Sequence, residues 1–173
     1  MIIVSNTTPL IGLAAIQRFE LLKHLFGGLY IAQAVYDEAV VAGREAGGAK
    51  REVSTASWIK TVRVKDRLAV EVLLDEMDLG EAETIVLARE LGADLVLMDE
   101  KKGRRKLTQM GLPKIGTAGI LLKAKQVGLL SALRPELEQL HQRGFSIGQT
   151  VIAAVLRQAN EEWGSDEPTS DRQ

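Results

Sequence analysis

The sequence contains no cysteine and only two histidines, His24 and His141, each within a helical pattern that includes leucines. The lack of cysteine excludes a disulfide framework, a zinc-thiolate centre and a thiol nucleophile. Two scattered histidines offer little material for a histidine metal cluster or a Ser-His triad. Aromatic residues make up only 4% of the chain, which also disfavours a base-stacking platform for single-stranded nucleic acid.

The chain also lacks a strong net charge and long apolar runs. Its formal net charge of -1 creates no overall field towards nucleic acid or an anionic membrane, so polyanion binding requires a local patch. No apolar run reaches the length that spans a bilayer, and no basic segment precedes an apolar stretch at the N-terminus. We therefore expect a cytoplasmic protein without a membrane partner.

The composition that remains is typical of a globular domain. The chain has 173 residues, of which 46% are hydrophobic and 26% are charged. This length and composition suffice for a sizeable core. The polar composition of residues 164–173 predicts a short C-terminal tail that follows a single domain over residues 1–163.

Short apolar runs alternate with helical patterns along the chain. Residues 2–4 and 95–98 predict buried strands, and weaker strand patterns occupy residues 29–31, 58–64 and 114–115. Helical patterns occupy residues 8–15, 18–26, 33–42, 66–76, 81–91, 101–110, 117–127, 134–142 and 147–163, and residues 43–50 are the most flexible internal stretch. The alternation predicts an α/β fold, with three layers in the order α/β/α and a mainly parallel central sheet.

Polar residues follow the two buried strands, at the sheet edge where open α/β folds place their functional crevices. Asn6 and Thr7 come after the first strand, and Asp99 and Glu100 come after the second. If the two strands are neighbours, Asn6 and Asp99 face the same crevice. Helix capping is an equally good explanation for each of them alone, since Asn6 or Thr7 could cap the helix that contains Pro9.

Two further acidic positions extend this pattern. Glu81 lies in the first turn of a predicted helix, where acids commonly interact with the helix dipole, and Glu38 lies in a helix interior, where a solvated face is the usual explanation. Three or four convergent carboxylates nevertheless suffice to hold Mg²⁺, which prefers oxygen ligands. Such an ion can activate water and stabilise a displacement at phosphorus without histidine or cysteine.

Four short segments together resemble the PIN-domain family. They are Asn6-Thr7-Thr8-Pro9-Leu10-Ile11, Tyr36-Asp37-Glu38, Leu79-Gly80-Glu81-Ala82-Glu83 and Leu95-Val96-Leu97-Met98-Asp99. The stretch over residues 116–129 is similar to a prokaryotic PIN-like branch of unknown function, whose members are described as nucleic-acid-binding proteins. The resemblance covers residues 2 to about 158, and the order and spacing of the segments are more specific than any one segment.

The resemblance implies a metal-dependent ribonuclease like the toxins of prokaryotic toxin–antitoxin pairs, with RNA as its substrate and a small antitoxin protein as a partner. In this family four acidic positions hold Mg²⁺ or Mn²⁺ around the scissile phosphate. They fall on Asn6, Glu38, Glu81 and Asp99 of this chain, and the hydroxyl that often assists the first acid falls on Thr7 or Thr8. The family often forms homodimers.

Asn6 departs from the family pattern, because an amide oxygen can ligate Mg²⁺ but brings no formal charge. The loss of one carboxylate out of four is expected to weaken metal binding. Asp37, Glu83 and Glu100 are candidates to compensate, and the sequence leaves the choice among them open. Glu83 follows Glu81 by two residues, roughly 200° around a helix, which disfavours a shared ion.

A basic run directly follows these acids. It places five positive charges in residues 101–106 and predicts RNA-phosphate contacts through Lys101, Lys102, Arg104 and Arg105. A solvated helix face is the alternative explanation of this run. A second surface candidate is the apolar face of residues 147–156, which could serve a homodimer but would more commonly pack in the core.

Three functions remain open from the sequence. The first is an active metal-dependent ribonuclease of the toxin type, and the second is a PIN-fold module that binds RNA or protein with weakened or no nuclease activity. The third is a flavodoxin-like or receiver-like module that uses Asp99. No glycine-rich loop or acidic pair follows the first strand, which disfavours the third. Asn6 supports the second, and the three acids that remain favour the first.

Overall fold

Five strands are found in the part of the chain that the computed structural model describes, residues 1–43 and 48–162. They are β1 (Ile3–Ser5), β2 (Leu29–Ala32), β3 (Ile59–Val62), β4 (Leu95–Leu97) and β5 (Lys114–Ile115). They form one sheet in the order β3-β2-β1-β4-β5, and every pair of neighbours is parallel. Apolar side chains at Ile3, Val4 and Leu97 are fully buried, as expected for short strands covered on both faces.

Helices connect the strands. They are α1 (Thr7–Ala15), α2 (Glu20–Phe26), α3 (Gln33–Tyr36), α4 (Lys50–Thr55), α5 (Arg67–Leu73), α6 (Leu79–Leu91), α7 (Lys101–Gln109), α8 (Thr117–Gln126), α9 (Arg134–Gln142) and α10 (Gln149–Gln158). A turn of π-helix, Asp37–Val41, continues directly from α3. None of the helices in the described ranges combines the length and the apolar character that a membrane crossing requires.

The helices form a layer on each side of the sheet. Helix α6 packs on β1 and β2 and is flanked by α5 and α7. Helix α8 packs against α1 and α10, and Leu140 of α9 lies against Gly12 of α1. The predicted three-layer α/β/α fold is therefore confirmed, and the sheet is wholly parallel where mainly parallel was expected.

The C-terminal helix is held by one carboxylate beyond its end. Glu161 accepts hydrogen bonds from the backbone N–H groups of Leu133 and Arg134, at the start of α9, over 2.9 and 3.1 Å. The Lys125 ammonium of α8 donates to the same carboxylate over 2.5 Å and to the Ala159 carbonyl over 2.7 Å. These contacts lower the pKa of Glu161 against the opposing effect of its burial, so the carboxylate stays charged.

The strand order reverses between β1 and β4, which places a topological switch point at the carboxyl ends of these two strands. Ile3, Val4 and Ser5 pair with Leu95, Val96 and Leu97 respectively. The backbone N–H of Asn6 extends this pairing by donating to the Leu97 carbonyl over 2.9 Å. The polar residues that follow β1 and β4 are therefore neighbours, as their positions after buried strands predicted.

The structure differs from the sequence prediction in the start of α6 and in the presence of α4. Helix α6 begins at Leu79, two residues before the predicted start, because the side chain of Asp78 caps it by accepting from Glu81 N–H over 2.9 Å. The short α4, Lys50–Thr55, was not predicted, and it begins at the end of the stretch 43–50. The tail over 164–173 lies outside the described residues, as do 44–47 of that stretch. In α10, Ile152, Val155 and Leu156 are buried, so most of this face packs in the core, while Val151 is exposed.

Candidate active site

Asn6 occupies the N-cap position of α1 in an extended conformation, but its side chain makes no capping hydrogen bond. The side chain is buried, and its amide nitrogen donates to Glu100 Oε2 over 3.0 Å and to the Met98 sulfur over 3.5 Å. Its Oδ1 lies 3.4 Å from the Thr84 hydroxyl, which donates to the Gly80 carbonyl over 2.7 Å. Capping does not explain this side chain, because all of its contacts are to β4, its following residues and α6.

Glu38 is held at the switch point by a hydroxyl and by a close backbone approach. Thr7, the first residue of α1, donates its hydroxyl to Glu38 Oε2 over 2.8 Å. A Cβ atom at Gly80 would lie 2.2 Å from Glu38 Oε1, so only glycine leaves room for the carboxylate against α6. Glu38 stands on the π-helical turn, a widened turn that is frequent at functional sites.

Glu100 links the ends of β1 and β4. In addition to the Asn6 amide, the Thr8 hydroxyl donates to its carboxylate, at Oε1, over 2.5 Å. Two hydrogen bonds from residues at the β1 end therefore hold this carboxylate. Its negative charge raises the pKa of both Glu38 and Glu81 by repulsion.

We call Glu38, Asp78, Glu81 and Glu100 the acidic cluster. Burial is the largest cause that raises the pKa of Glu81, to about 7, and Asp78, Glu100 and Glu38 add to it by repulsion. Burial of the carboxylate end also raises the pKa of Glu38, although the residue as a whole is exposed, while the Thr7 hydrogen bond opposes this rise. The cluster thus concentrates negative charge at the switch point.

Asp99 is half-buried, and both of its carboxylate oxygens accept hydrogen bonds from Thr117. Oδ1 accepts from the Thr117 backbone N–H over 2.8 Å, and Oδ2 accepts from the Thr117 hydroxyl over 2.6 Å. Burial raises the pKa of Asp99 and the charge of Glu100 adds to this rise, whereas the two hydrogen bonds from Thr117 and the charge of Arg104 lower it. The structure therefore brings Asn6, Thr7, Glu38 and Glu81 together, and places Asp99 beside α8.

Glu100 and Asp78 are the cluster members that the four predicted acidic positions did not include. Glu100 was predicted only as one of three acids that could compensate for the neutral Asn6. Asp37 is exposed and accepts from Gln33 over 3.0 Å, at the outer side of its turn. Glu83 is buried and binds Ala34 N–H and Arg67, each over 3.1 Å, so neither acid joins the cluster.

The basic run forms most of α7. Lys101, Lys102 and Arg105 are exposed, while the guanidinium of Arg104 donates to the Met98 carbonyl over 2.9 Å. Lys106 lies 3.5 Å from the carboxylate of Glu76. Of the four cations predicted to contact phosphate, Arg104 is thus engaged with the end of β4, and the other three project from the start of α7.

The acidic cluster has the donor chemistry of a site for a hard divalent cation, since it offers carboxylate oxygens close to the Asn6 amide and the Thr7 hydroxyl. Burial and repulsion raise the pKa of Glu38 and Glu81. The attraction of a nearby cation would offset both effects and favour the charged carboxylates. Within residues 1–43 and 48–162, however, no three acidic or histidine side chains are arranged to hold a metal ion. The carboxylate, amide and hydroxyl oxygens are ligands of the kind that such an ion takes, but their arrangement in the described residues does not gather three acidic side chains around one point.

A family model described as a PIN domain matches residues 2–161. A search of curated proteins found no match. The matched segment begins in the approach to β1 and ends beyond α10, so it contains every side chain of the acidic cluster.

Proposed function

The chain belongs to the PIN-domain family, and on that premise we propose that it is a metal-dependent ribonuclease that hydrolyses RNA phosphodiester bonds. The fold is nuclease-like. We further propose Mg²⁺ or Mn²⁺ as the cofactor, with Asn6, Glu38, Glu81 and Asp99 as the residues that the family pattern assigns to it. The role of the protein would be that of the toxin in a cytoplasmic toxin–antitoxin pair.

The acidic cluster is the observation that carries the proposal. It lies at the switch point between β1 and β4, where open α/β sheets bind their ligands. Each of the neighbours Asp78, Glu100 and Glu38 raises the pKa of Glu81. A group of like charges, of which Glu81 and Glu100 are half-buried, destabilises the folded state, and perturbed carboxylates of this kind concentrate at functional sites.

A bound divalent cation would supply a water of lowered pKa and stabilise charge on the phosphate. The chain itself contributes orientation. Thr7 fixes Glu38 through its hydroxyl, and Gly80 allows the carboxylate of Glu38 to approach α6. The exposed cations Lys101 and Lys102 follow the cluster directly and would bind the RNA backbone without reading its sequence.

The partners belong to the proposal as well. They are RNA, a small antitoxin protein and a second copy of the chain in a homodimer. Because most of the face of α10 packs in the core, apolar contact area is offered instead by Leu68 and Val72 of α5, which are 71% and 64% exposed.

A PIN-fold module that binds RNA or protein without cutting RNA is the second candidate. Two observations favour it: the neutral Asn6 at the first acidic position, and the lack of a three-acid arrangement for a metal ion in the described residues. Asn6→Asp would place a second carboxylate 3.0 Å from that of Glu100, at the position from which the amide now donates. The two negative charges would repel each other, and a cation bound between them would be needed to offset this repulsion.

RNA cleavage with and without Mg²⁺ or Mn²⁺ tests the proposal. We expect the wild type to cleave only with the cation, and Glu81→Gln to lose roughly 100-fold or more of this activity. The matched control is Glu71→Gln, a change at an exposed glutamate of α5, which should cleave as the wild type does. Cleavage by Asn6→Asp but not by the wild type would identify a nuclease that has lost its activity and would support the second candidate.

A further inference from the structure

Glu83 is a buried carboxylate of α6 that the proposed reaction does not use. Only 4% of the residue is exposed. Its Oε1 accepts a hydrogen bond from the backbone N–H of Ala34, and its Oε2 accepts one from the Arg67 guanidinium, each over 3.1 Å. Burial removes water from the carboxylate, so both donors are needed to compensate its charge. The two contacts connect α6 with the first turns of α3 and α5.

The Ala34 contact caps α3 from another part of the chain. Helix α3 begins directly after β2, and the residue at its N-cap position, Ala32, has a methyl side chain that cannot accept a hydrogen bond. The first N–H groups of a helix have no partner within the helix. The carboxylate of Glu83 supplies such a partner from α6, and it thereby holds the start of α3 on α6.

A second contact joins the same two segments one helical turn away. Glu38 follows Ala34 by four residues, on the π-helical turn that continues α3. On α6, Gly80 precedes Glu83 by three residues. A Cβ atom at Gly80 would lie 2.2 Å from Glu38 Oε1, so this carboxylate lies directly against α6. Residues three or four apart lie on one face of a helix, and the two contacts therefore fix both the spacing and the rotation of the α3 segment on α6.

We propose that Glu83 is a positioning residue, which fixes α3 on α6 through the Ala34 N–H and thereby holds the carboxylate of Glu38 at the switch point. The inference rests on the proposed function for what Glu38 does there, and on the two contacts for where Glu38 lies. The hydrogen bond to Ala34 carries the positioning. The ion pair with Arg67, a residue that is 54% exposed, compensates the buried charge and belongs to α5.

Two conservative variants separate the hydrogen bond from the charge. Glu83→Gln keeps an oxygen within reach of the Ala34 N–H but has no charge for Arg67, whereas Glu83→Asp keeps the charge and is one methylene shorter. We expect Glu83→Gln to cleave RNA with Mn²⁺ at a kcat within about threefold of the wild type. Glu83→Asp should lose about tenfold or more of kcat, because a displaced Glu38 no longer has its geometry for the reaction. The opposite order would show that the charge is what matters and would overturn the proposal.

Solution NMR without any cation provides a readout that does not depend on cleavage. In Glu83→Asp the Ala34 amide should exchange with deuterium about tenfold or more faster than in the wild type. The nuclear Overhauser effect between the α-protons of Gly80 and the side chain of Glu38 should be lost in the same variant. Glu83→Gln should keep both signals as they are in the wild type. Persistence of both signals in Glu83→Asp would overturn the proposal.

Arg67→Gln is the matched control, since it removes the ion pair and leaves the hydrogen bond between Glu83 and Ala34 in place. It should keep the nuclear Overhauser effect between Gly80 and Glu38, and its loss in a folded Arg67→Gln or Glu83→Gln protein would refute the positioning role even if Glu83→Asp does not fold. If the wild type cleaves no RNA with Mg²⁺ or Mn²⁺, the proposed function fails, while the NMR signals still decide whether Glu83 positions Glu38.

Discussion

Glu81 makes the folded protein less stable at alkaline pH, and its replacement by glutamine tests this directly. Its pKa is raised from 4.5 to about 7, so the folded state holds the proton more tightly than the unfolded state does. The stability therefore falls as pH rises from about 4.5 through 7, and the full cost is present above that range. Glutamine resembles the protonated carboxyl in shape and removes the cost.

The magnitude follows from the size of the rise in pKa. A pKa that rises from 4.5 to about 7 corresponds to roughly 3 kcal/mol at pH 8. Glu81 is only half-buried, so solvent screening reduces this figure, and we expect Glu81→Gln to gain about 1–2 kcal/mol. A gain of that size raises the melting temperature of a chain of this length by about 2–8 °C. At pH 4.5 the gain falls below about 0.5 kcal/mol, since the folded carboxyl is already protonated.

Thermal unfolding of the wild type and the variant between pH 4.5 and pH 8, without divalent cations, measures the effect. Glu71→Gln is the control, because Glu71 is exposed on α5 and outside the acidic cluster. A gain that is the same at pH 4.5 and pH 8, or no gain at pH 8, would refute the reasoning. Addition of Mg²⁺ at pH 8 should stabilise the wild type more than Glu81→Gln if the cation binds at the cluster.

Three further variants test how the site is held. Gly80→Ala should displace the carboxylate of Glu38, which would lie 2.2 Å from the new Cβ, and reduce cation-dependent cleavage about tenfold or more, while urea unfolding changes by less than about 1 kcal/mol. Thr7→Val should raise the pKa of Glu38 further and move the acid limb of the pH–rate profile upwards, because it removes an opposing hydrogen bond; NMR titration of the carboxyl checks this. Glu83→Gln should cost about 1–2 kcal/mol in urea unfolding, since Arg67, which is 54% exposed, loses its buried partner.

For each of these three variants, one outcome would contradict the expected result. Wild-type cleavage by Gly80→Ala would show that Glu38 does not need its place against α6. For Thr7, the conservative change Thr7→Ser should keep the wild-type titration, and an identical rise in both variants would exclude the hydroxyl as the cause. Unchanged stability in Glu83→Gln would mean that the bonds to Ala34 and Arg67 contribute nothing net.

The sheet could be predicted from the sequence because its strands are short apolar runs covered on both faces. Even the weak patterns at 29–31 and 114–115 correspond to β2 and β5. The six-residue α4 could not be predicted, since Val53 is its single buried residue and gives no periodicity. The π-helical turn under Glu38 also leaves no pattern in the sequence, because it depends on packing of the surrounding elements.

The site was predictable to the level of which strand ends meet, and not to the level of which carboxylate faces which neighbour. Asp99 and Glu100 are adjacent and equally acidic, and the deciding contact of Asp99 is with Thr117, eighteen residues later in the sequence. For Asn6, the sequence supported helix capping and metal binding equally well. In the structure its side chain makes no capping hydrogen bond and donates to Glu100 instead, which excludes capping. Long-range contacts of this kind carry no local signature.

The Glu161 carboxylate has a practical consequence for anyone who shortens or extends this chain. Its hydrogen bonds to Lys125 and to two backbone N–H groups connect α8, α9 and the segment after α10. A truncation that removed Glu161 would uncap α9 and leave Lys125 without its carboxylate partner, so unfolding from that end should become easier. Affinity tags and fusion partners are best joined beyond this residue, so that these hydrogen bonds are kept.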